Sequence, residues 1–258
     1  MFDRNLYYCT RSEPLTKKNL GMVAMATAAA VIIGNEILSG KFADENSPWL
    51  AKRLGAIGVD LMRIAVIPDD IGVIADTVRE LSTRVTHVFT SGGVGPTHDD
   101  VTFEGIARAF GVPLVRHPAI ATAIQTHMGS SVTEAALRMA DVPAGTQLVG
   151  EGFPVMVFRN VVILPGVPSY FQKKFDLFAR TLTTDPKLSE RLVTHARESA
   201  IADVLTEATD RWPAVEIGSY PRVEERPPTV IVTMDSRDPV SLNEAHSWLK
   251  DALASNSS

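Results

Sequence analysis

Short apolar runs alternate with amphipathic stretches along the first part of the chain. Residues 28–33 form an uninterrupted apolar run, which predicts a strand buried on both faces. Two further strands are predicted at 61–67, which is apolar except for Arg63, and at 87–90. Between the runs, apolar residues recur at spacings of three and four, which predicts amphipathic helices, and Ser47 followed by Pro48 indicates where the first one starts. Alternating strands and helices are typical of a parallel sheet covered on both faces.

The second part of the chain follows a different order of elements. Residues 155–158 and 161–164 are two apolar runs around a polar pair, which predicts a hairpin, and 169–182 follow as a helix. A polar stretch at 183–189 is typical of a linker, and the remaining pattern is strand, helix, strand, strand, helix. We therefore expect a disordered extension at 1–27, an α/β domain with a mostly parallel sheet at 28–182 and a small α+β domain at 190–254.

The loop after the third predicted strand carries the strongest chemical signal. Residues 91–100 read S-G-G-V-G-P-T-H-D-D. Three glycines let a backbone approach a ligand closely, and successive N–H groups before a helix start can cradle a phosphate. An ordinary turn needs only one or two glycines, and the loop lacks the Gly-Lys-Ser/Thr end of a P-loop. We expect an anion to bind at Ser91, Gly92, Gly93, Gly95, Pro96 and Thr97.

Acidic residues follow three of the predicted strands. Glu36 comes after the first strand, Asp69 and Asp70 after the second, and Asp99 and Asp100 end the glycine-rich loop. The carboxyl ends of parallel strands share one edge of a sheet, so these turns should meet. Carboxylates beside a phosphate favour a divalent cation between them. One member of each Asp pair can instead cap a helix; for Asp99 both interpretations stay open, whereas we assign Asp100 to metal binding or catalysis.

Composition narrows the class of protein. The formal net charge is −5 and no basic stripe is present, so binding to nucleic acid or to an anionic membrane surface is not expected. The single cysteine, Cys9, excludes an intramolecular disulfide and a cysteine-based zinc site. Both features favour a cytoplasmic protein that binds a small molecule.

Several strings of residues resemble one known family. I-G-N-E-I-L-S-G begins at Ile33, V-I-P-D-D at Val66 and T-H-V-F-T-S-G-G-V-G-P-T-H-D-D-V-T-F-E at Thr86, with weaker matches in L-P-G-V-P from Leu164 and I-G-S-Y-P from Ile217. They resemble the molybdopterin-binding-like proteins. This family includes molybdopterin adenylyltransferases, competence/damage-inducible protein A and the N-terminal domain of eukaryotic FAD synthase, which is the most similar of the three. The resemblance implies a three-layer α/β fold and homo-oligomers, either dimers or trimers.

The resemblance also implies roles for particular residues. Asp69 and Asp100 match the aspartates that matter in the adenylyltransferases, and we expect them to be catalytic. Asn35 stands where many relatives have Asp, which removes one charged candidate ligand. The matching turns add Asn35, Glu36 and Gly166 to the expected substrate-binding residues. The expected metal ligands are Asp69, Asp99 and Asp100, for Mg²⁺ or Co²⁺, with K⁺ as a further associated ion.

The leading hypothesis for function is metal-dependent hydrolysis of the pyrophosphate bond of FAD or ADP-ribose. Molybdopterin binding or adenylyl transfer in molybdenum cofactor biosynthesis is the alternative within the same family. A non-catalytic module that binds a pterin or a nucleotide is the alternative from another class.

Overall fold

The computed structural model describes residues 26–151, 153–182 and 185–255. The strands in this part of the chain are β1 (Thr27–Ile33), β2 (Asp60–Ile67), β3 (His87–Ser91), β4 (Leu114–Arg116), β5 (Asp141–Pro143), β6 (Gln147–Val149), β7 (Val155–Phe158), β8 (Val161–Leu164), β9 (Leu188–Thr194), β10 (Glu216–Arg222) and β11 (Thr229–Ser236). The helices are α1 (Asn35–Leu38), α2 (Asn46–Ala56), α3 (Ile71–Ser82), α4 (Thr102–Phe110), α5 (Pro118–Met128), α6 (Glu134–Arg138), α7 (Pro168–Ala179), α8 (Glu198–Arg211) and α9 (Pro239–Ser255).

The main sheet has six strands in the order β2-β1-β3-β8-β7-β6. The four strands β2, β1, β3 and β8 run parallel to one another, and β7 and β6 are antiparallel additions at one side. A two-stranded antiparallel sheet, β4-β5, lies beside α4. The predicted mostly parallel sheet is confirmed.

The inner strand β1 shows why the apolar run is continuous. Successive side chains of a strand point to opposite faces, and both faces of β1 are covered. Ala29, Val31 and Ile33 pack into the core beneath α3 and α4, whereas Ala28, Ala30 and Ile32 pack into the core beneath α2 and α7. These six side chains are at most 3% exposed. The predicted three-layer arrangement of helix, sheet and helix is therefore confirmed.

The C-terminal part forms a separate antiparallel sheet of order β10-β11-β9. Val230, Val232 and Met234 of β11 are buried beneath α8 and α9, which gives the predicted small α+β unit. Two cations tie this unit to the start of β2 and the residues before it. Lys187 Nζ lies 2.9 Å from an oxygen of Asp60, and Arg237 Nη2 donates to the carbonyl of Gly58 at 2.7 Å.

Several elements differ from the predicted ones. The helix α1 and the strands β4, β5 and β6 were not predicted, because three or four residues are too few to show a hydrophobic period. Strand β9 begins at Leu188, inside the predicted linker. Its residues are mostly polar and exposed, so the sequence pattern did not distinguish its first residues from a linker. Residues 1–25 of the predicted extension lie outside the described residues, and Thr27 belongs to β1. No helix in the described residues is long and apolar enough to cross a membrane.

Candidate functional site

The turns after β1 and β2 are joined to each other by hydrogen bonds. The N–H of Gly34 donates to the carbonyl of Ile67 at 3.1 Å, and the N–H of Asn35 donates to Asp69 Oδ2 at 2.8 Å. We call these four residues the Asp69 corner. Asp70 has a different task, because its Oδ1 accepts from the N–H of Val73 and caps α3. Asp69 therefore holds the turn at Asn35, whereas Asp70 caps α3.

The turns after β3 and β8 meet on the other side of β1. The N–H of Gly92 donates to the carbonyl of Leu164 at 3.2 Å. Asn46, the first residue of α2, bridges the same two turns through its side-chain Nδ2. This nitrogen donates to Ser91 Oγ at 2.9 Å and to the carbonyl of Gly166 at 2.7 Å. Asn46 is a site residue that local sequence patterns did not predict.

Helix α2 starts differently from the prediction. The predicted cap, Ser47, lies inside the first turn and is 4% exposed. Asp44 takes the capping role, because its Oδ1 accepts from the N–H groups of Asn46 and Ser47, each at 3.0 Å. The side chain of Asn46 is thereby turned to the end of the sheet. Its Oδ1 and the hydroxyl of Ser47 are buried and have no partner in the described residues.

Contacts inside the protein explain why two residues of the glycine loop (residues 91–100) must be glycine. Gly92 has φ 101°, and a Cβ at this position would lie 2.2 Å from the carbonyl oxygen of Ile33. Gly93 has φ 63°, and its Cβ would lie within 2.4 Å of the hydroxyl of Thr102. The chain thus packs closely against β1 and the start of α4, so these glycines alone do not imply that a ligand approaches.

The backbone N–H groups of the loop give more direct support for anion binding. Within the described residues, the N–H groups of Gly93, Val94 and Gly95 donate to no acceptor. Three consecutive unpaired donors next to a helix start are typical of a site that binds phosphate oxygens. Anion binding by the loop stays a prediction, and these three N–H groups are the donors that it would use.

The two aspartates of the loop do not cap α4. Residue Val101 precedes the helix without a side-chain cap, and the first turn is instead held by Thr102, whose hydroxyl donates to the carbonyl of Gly92. Thr97 donates both its N–H, at 2.8 Å, and its hydroxyl to Asp100 Oδ2. Oδ1 of Asp100 accepts no hydrogen bond within the described residues. Asp99 is exposed, and the neighbouring Thr97 side chain lowers the pKa of its carboxyl group.

A cavity of about 280 Å³ opens beside the glycine loop. Its polar lining comes from the loop itself, from the first turn of α4 and from the end of α6 with the start of β5. The residues concerned are Gly95, Thr97, His98, Asp100, Glu104, Arg138 and Asp141. Neither Asp69 nor Asp99 lines this cavity. Of the predicted site residues, Gly95, Thr97 and Asp100 line this cavity, together with three charged residues, Glu104, Arg138 and Asp141, that were not predicted.

Most of the predicted site residues fall into three groups, to which Gly93, Pro96 and Asp99 do not belong. Asn35 and Asp69 are bonded to each other in the Asp69 corner, whereas the carboxylate of Glu36 folds back towards Gly34. The second group joins Ser91, Gly92 and Gly166 through Asn46 and the chain. The third group, Gly95, Thr97 and Asp100, lines the cavity. No group of three or more His, Cys, Asp or Glu side chains in the described residues is arranged to hold a metal ion by itself.

Comparisons with known proteins identify the family of the chain. Residues 29–185 match the family described as "Probable molybdopterin binding domain", and residues 186–258 match "FAD synthase, middle domain". A protein of Archaeoglobus fulgidus is 34% identical over 226 residues, which cover 86% of this chain and 96% of that protein. The probable FAD synthase of Caenorhabditis elegans is 32% identical and is matched over 88% of this chain and 50% of its own length. The chain thus spans about half the length of that FAD synthase.

A solved structure supports the same assignment. The crystal structure of the protein CinA, of unknown function, from Thermoplasma acidophilum is 30% identical and superposes with a TM-score of 0.56. The superposition covers 60% of this chain and 96% of the CinA chain. The resemblance predicted from the strings around Ile33, Val66 and Thr86 is confirmed. This chain belongs to the family of probable molybdopterin-binding domains.

Proposed function

We propose that this chain is a metal-dependent nucleotide pyrophosphatase that hydrolyses FAD or ADP-ribose. The observation that carries the proposal is the cavity of about 280 Å³, which brings Gly95 and Thr97 of the glycine loop together with the carboxylates of Asp100 and Glu104. The sequence similarity to probable FAD synthases supports a nucleotide as the ligand. The family description supports a pterin as the alternative ligand, with molybdopterin binding or adenylyl transfer as the corresponding function.

The backbone of the glycine loop would bind the pyrophosphate. The N–H groups of Gly93, Val94 and Gly95 are unpaired in the described residues, and such preorganised donors stabilise phosphate charge without paying for reorganisation. The hydroxyl of Thr97 is committed to Asp100, so it contributes by holding that carboxylate rather than by binding the ligand. We propose that Asp69 acts in turn as a positioning residue, since its carboxylate holds the turn at Asn35.

The carboxylates fit a divalent cation in number and in chemistry. Asp100 has one oxygen free of hydrogen bonds in the described residues, and Glu104 lines the same cavity. Mg²⁺ is usually bound through one or two carboxylates, with phosphate oxygens and waters completing the shell. Asp100 and Glu104 would hold the ion, and the ion would supply charge neutralisation and an acidified water. In the reaction, water adds to one phosphorus and the bridging P–O bond breaks, so ADP-ribose yields AMP and ribose 5-phosphate, and FAD yields AMP and FMN.

The proposal is tested by incubating the purified full chain with FAD, ADP-ribose, NAD and ATP, with Mg²⁺, with Co²⁺ and with a chelator. Chromatography should show AMP from FAD or ADP-ribose only when a metal is present. No AMP from either compound would contradict the proposal. Transfer of AMP from ATP to molybdopterin would then support the alternative enzyme, and tight binding without any product would support a non-catalytic module.

We also propose that the chain forms a homo-oligomer, a dimer or a trimer. The proposal is supported by an apolar row on the edge strand β2. Met62 is 65% exposed, Ile64 46% and Val66 38%, which is unusual for large aliphatic side chains on one face of a strand. Light scattering on the purified protein should give two or three times the mass of 27.9 kDa. A mass equal to one chain would contradict this proposal without affecting the catalytic one.

A further inference from the structure

Some charged groups around the cavity are paired with a group of opposite charge, and others are not. Arg116, at the end of β4, lies between two carboxylates: its guanidinium is 2.8 Å from Asp141 Oδ1 and 2.8 Å from Glu134 Oε1. Both oxygens of Asp141 accept from Arg116, at 2.8 and 2.9 Å. These two carboxylates, Asp141 foremost, raise the pKa of Arg116. The acidic charge of Asp141 is therefore already neutralised where it faces the cavity.

Arg138 is a cation close to this network that takes no part in its ion pairs. It is the last residue of α6, a helix capped by Thr133, and it lines the cavity together with Gly95 and Thr97 of the glycine loop. Within the described residues its guanidinium forms no ion pair. Its one hydrogen bond there runs from Nη2 to the carbonyl of Pro96 at 3.2 Å. A guanidinium has five N–H donors, so most of the donors of Arg138 stay available.

The remaining charges on the lining are negative. Asp100 and Glu104 line the same cavity, and neither forms an ion pair with Arg138. The side chain of His98 is 98% exposed and is solvated. A phosphate that enters here meets two uncompensated carboxylates, and charge repulsion opposes its binding unless a cation faces it. Arg138 supplies a fixed positive charge at the position where it is required.

We propose that Arg138 binds the non-bridging oxygens of the phosphate or diphosphate group of the ligand. A planar guanidinium matches two phosphate oxygens at once, whereas an ammonium acts as a single point of charge. The bond to the Pro96 carbonyl already places the guanidinium beside the loop whose N–H groups are unpaired. Loop amides and Arg138 would then contact the same anion from two sides. The inference rests on the proposed function, because it assigns one residue to the same site.

Inorganic pyrophosphate is the probe that separates this inference from the proposed hydrolysis, because it contains the anion without the nucleoside. Its affinity is measured by calorimetry for the full-length wild type, for Arg138→Gln and for Arg138→Lys, with Mg²⁺ and with a chelator. The Gln amide is neutral and can still donate to the Pro96 carbonyl, which keeps the local hydrogen bond. Arg84→Gln is the matched control, because Arg84 pairs with Glu80 on the surface and its side chain is 66% exposed.

Arg138→Gln should weaken pyrophosphate binding about tenfold or more, as expected for one charge-assisted bidentate contact, and the loss should be larger with the chelator. Arg138→Lys should recover part of the affinity, and Arg84→Gln should bind like the wild type. Equal affinity for Arg138→Gln and wild type would overturn the inference and leave the proposed hydrolysis standing. Failure of the wild type to bind pyrophosphate at millimolar concentration would also overturn it. Normal pyrophosphate binding that depends on Arg138, without AMP release from any nucleotide, would uphold the inference and remove the hydrolase proposal.

Discussion

The Asp69 corner and the cavity beside the glycine loop are built from similar residues but leave different groups unsatisfied. In the corner, the N–H of Asn35 is paired with Asp69 Oδ2 at 2.8 Å, so this backbone donor is satisfied, although Oδ1 of Asp69 accepts no hydrogen bond within the described residues. Beside the cavity, the N–H groups of three loop residues, one oxygen of Asp100 and most donors of Arg138 have no partner in the described residues. Polar groups that the protein leaves unpaired are the ones that a ligand can bind without first breaking an internal bond. The difference supports our proposal that the cavity is the binding region and the corner its support.

The largest expected effect is the structural cost of a side chain on Gly92. Gly92→Ala would combine a positive φ with a Cβ 2.2 Å from the carbonyl of Ile33, and should cost about 3 kcal/mol or more of unfolding free energy. Gly40→Ala is the matched control, since Gly40 has φ 72° but no atom within 4 Å of its Cβ position. It should cost about 1 kcal/mol. Urea unfolding measures both values, and equal costs would show that the loop does not need its close contact with β1.

The second prediction concerns Asp100. Asp100→Asn keeps an acceptor for Thr97 but removes the charge, so turnover of FAD or ADP-ribose should fall about a hundredfold, the scale of one preorganised electrostatic group. Asp99→Asn is the control and should retain most activity, because Asp99 does not line the cavity. The rate of AMP release is the measurement. Similar losses in both variants would assign the two aspartates to one ion-binding pair.

The third prediction tests whether the corner is only a support. Asp69→Asn keeps an acceptor for the N–H of Asn35 and should reduce turnover about tenfold or less, whereas Asp69→Ala should in addition lose about 1 kcal/mol of stability. Both quantities come from kinetics and urea unfolding of the same preparations. If Asp69→Asn instead loses as much turnover as Asp100→Asn, the corner and the cavity act as one catalytic site.

The smallest expected effect lies at Asn46, between the two regions. In Asn46→Asp the carboxylate cannot donate, so the Gly166 carbonyl loses its partner and the Ser91 hydroxyl changes from acceptor to donor at this contact. Affinity for ADP-ribose should fall about threefold to tenfold. Ser91→Ala in the Asn46→Asp background should add little, because coupled residues are not additive. Fully additive losses in the double variant would show that Asn46 does not act through Ser91.

The parts of the candidate site that are contiguous in the chain could be predicted from the sequence. The glycine loop, Asp100 and the order of the parallel strands follow from local spacing, and the structure places them as expected at the carboxyl edge of the sheet. The helix cap predicted at Ser47 is wrong, and neither loop aspartate forms the cap that stayed open as an alternative. An Asp side chain can bond within its own turn as readily as it can cap the helix that follows, and here Asp100 bonds to Thr97.

The residues that were missed reach the site from distant positions. Arg138 contacts Pro96 across 42 positions of sequence, and Asn46 contacts Ser91 across 45 and Gly166 across 120. No periodicity or motif spacing connects such positions, so only the packing of α2 and α6 around the loop reveals them. The one signal in the sequence is the acidic character of the loop, because an anion can bind beside its carboxylates only if a cation from elsewhere in the fold offsets their charge.

The most direct test of the contrast between the two regions is a titration of the full chain with ADP-ribose, followed through backbone amide resonances. The amides of Gly93, Val94 and Gly95 should shift strongly, because their N–H groups would then bind phosphate, while the amide of Asn35 should stay near its free position because Asp69 already holds it. Saturating shifts at Asn35 with the loop amides unchanged would contradict the assignment. So would shifts confined to the second cavity, of about 180 Å³, between β9 and α9.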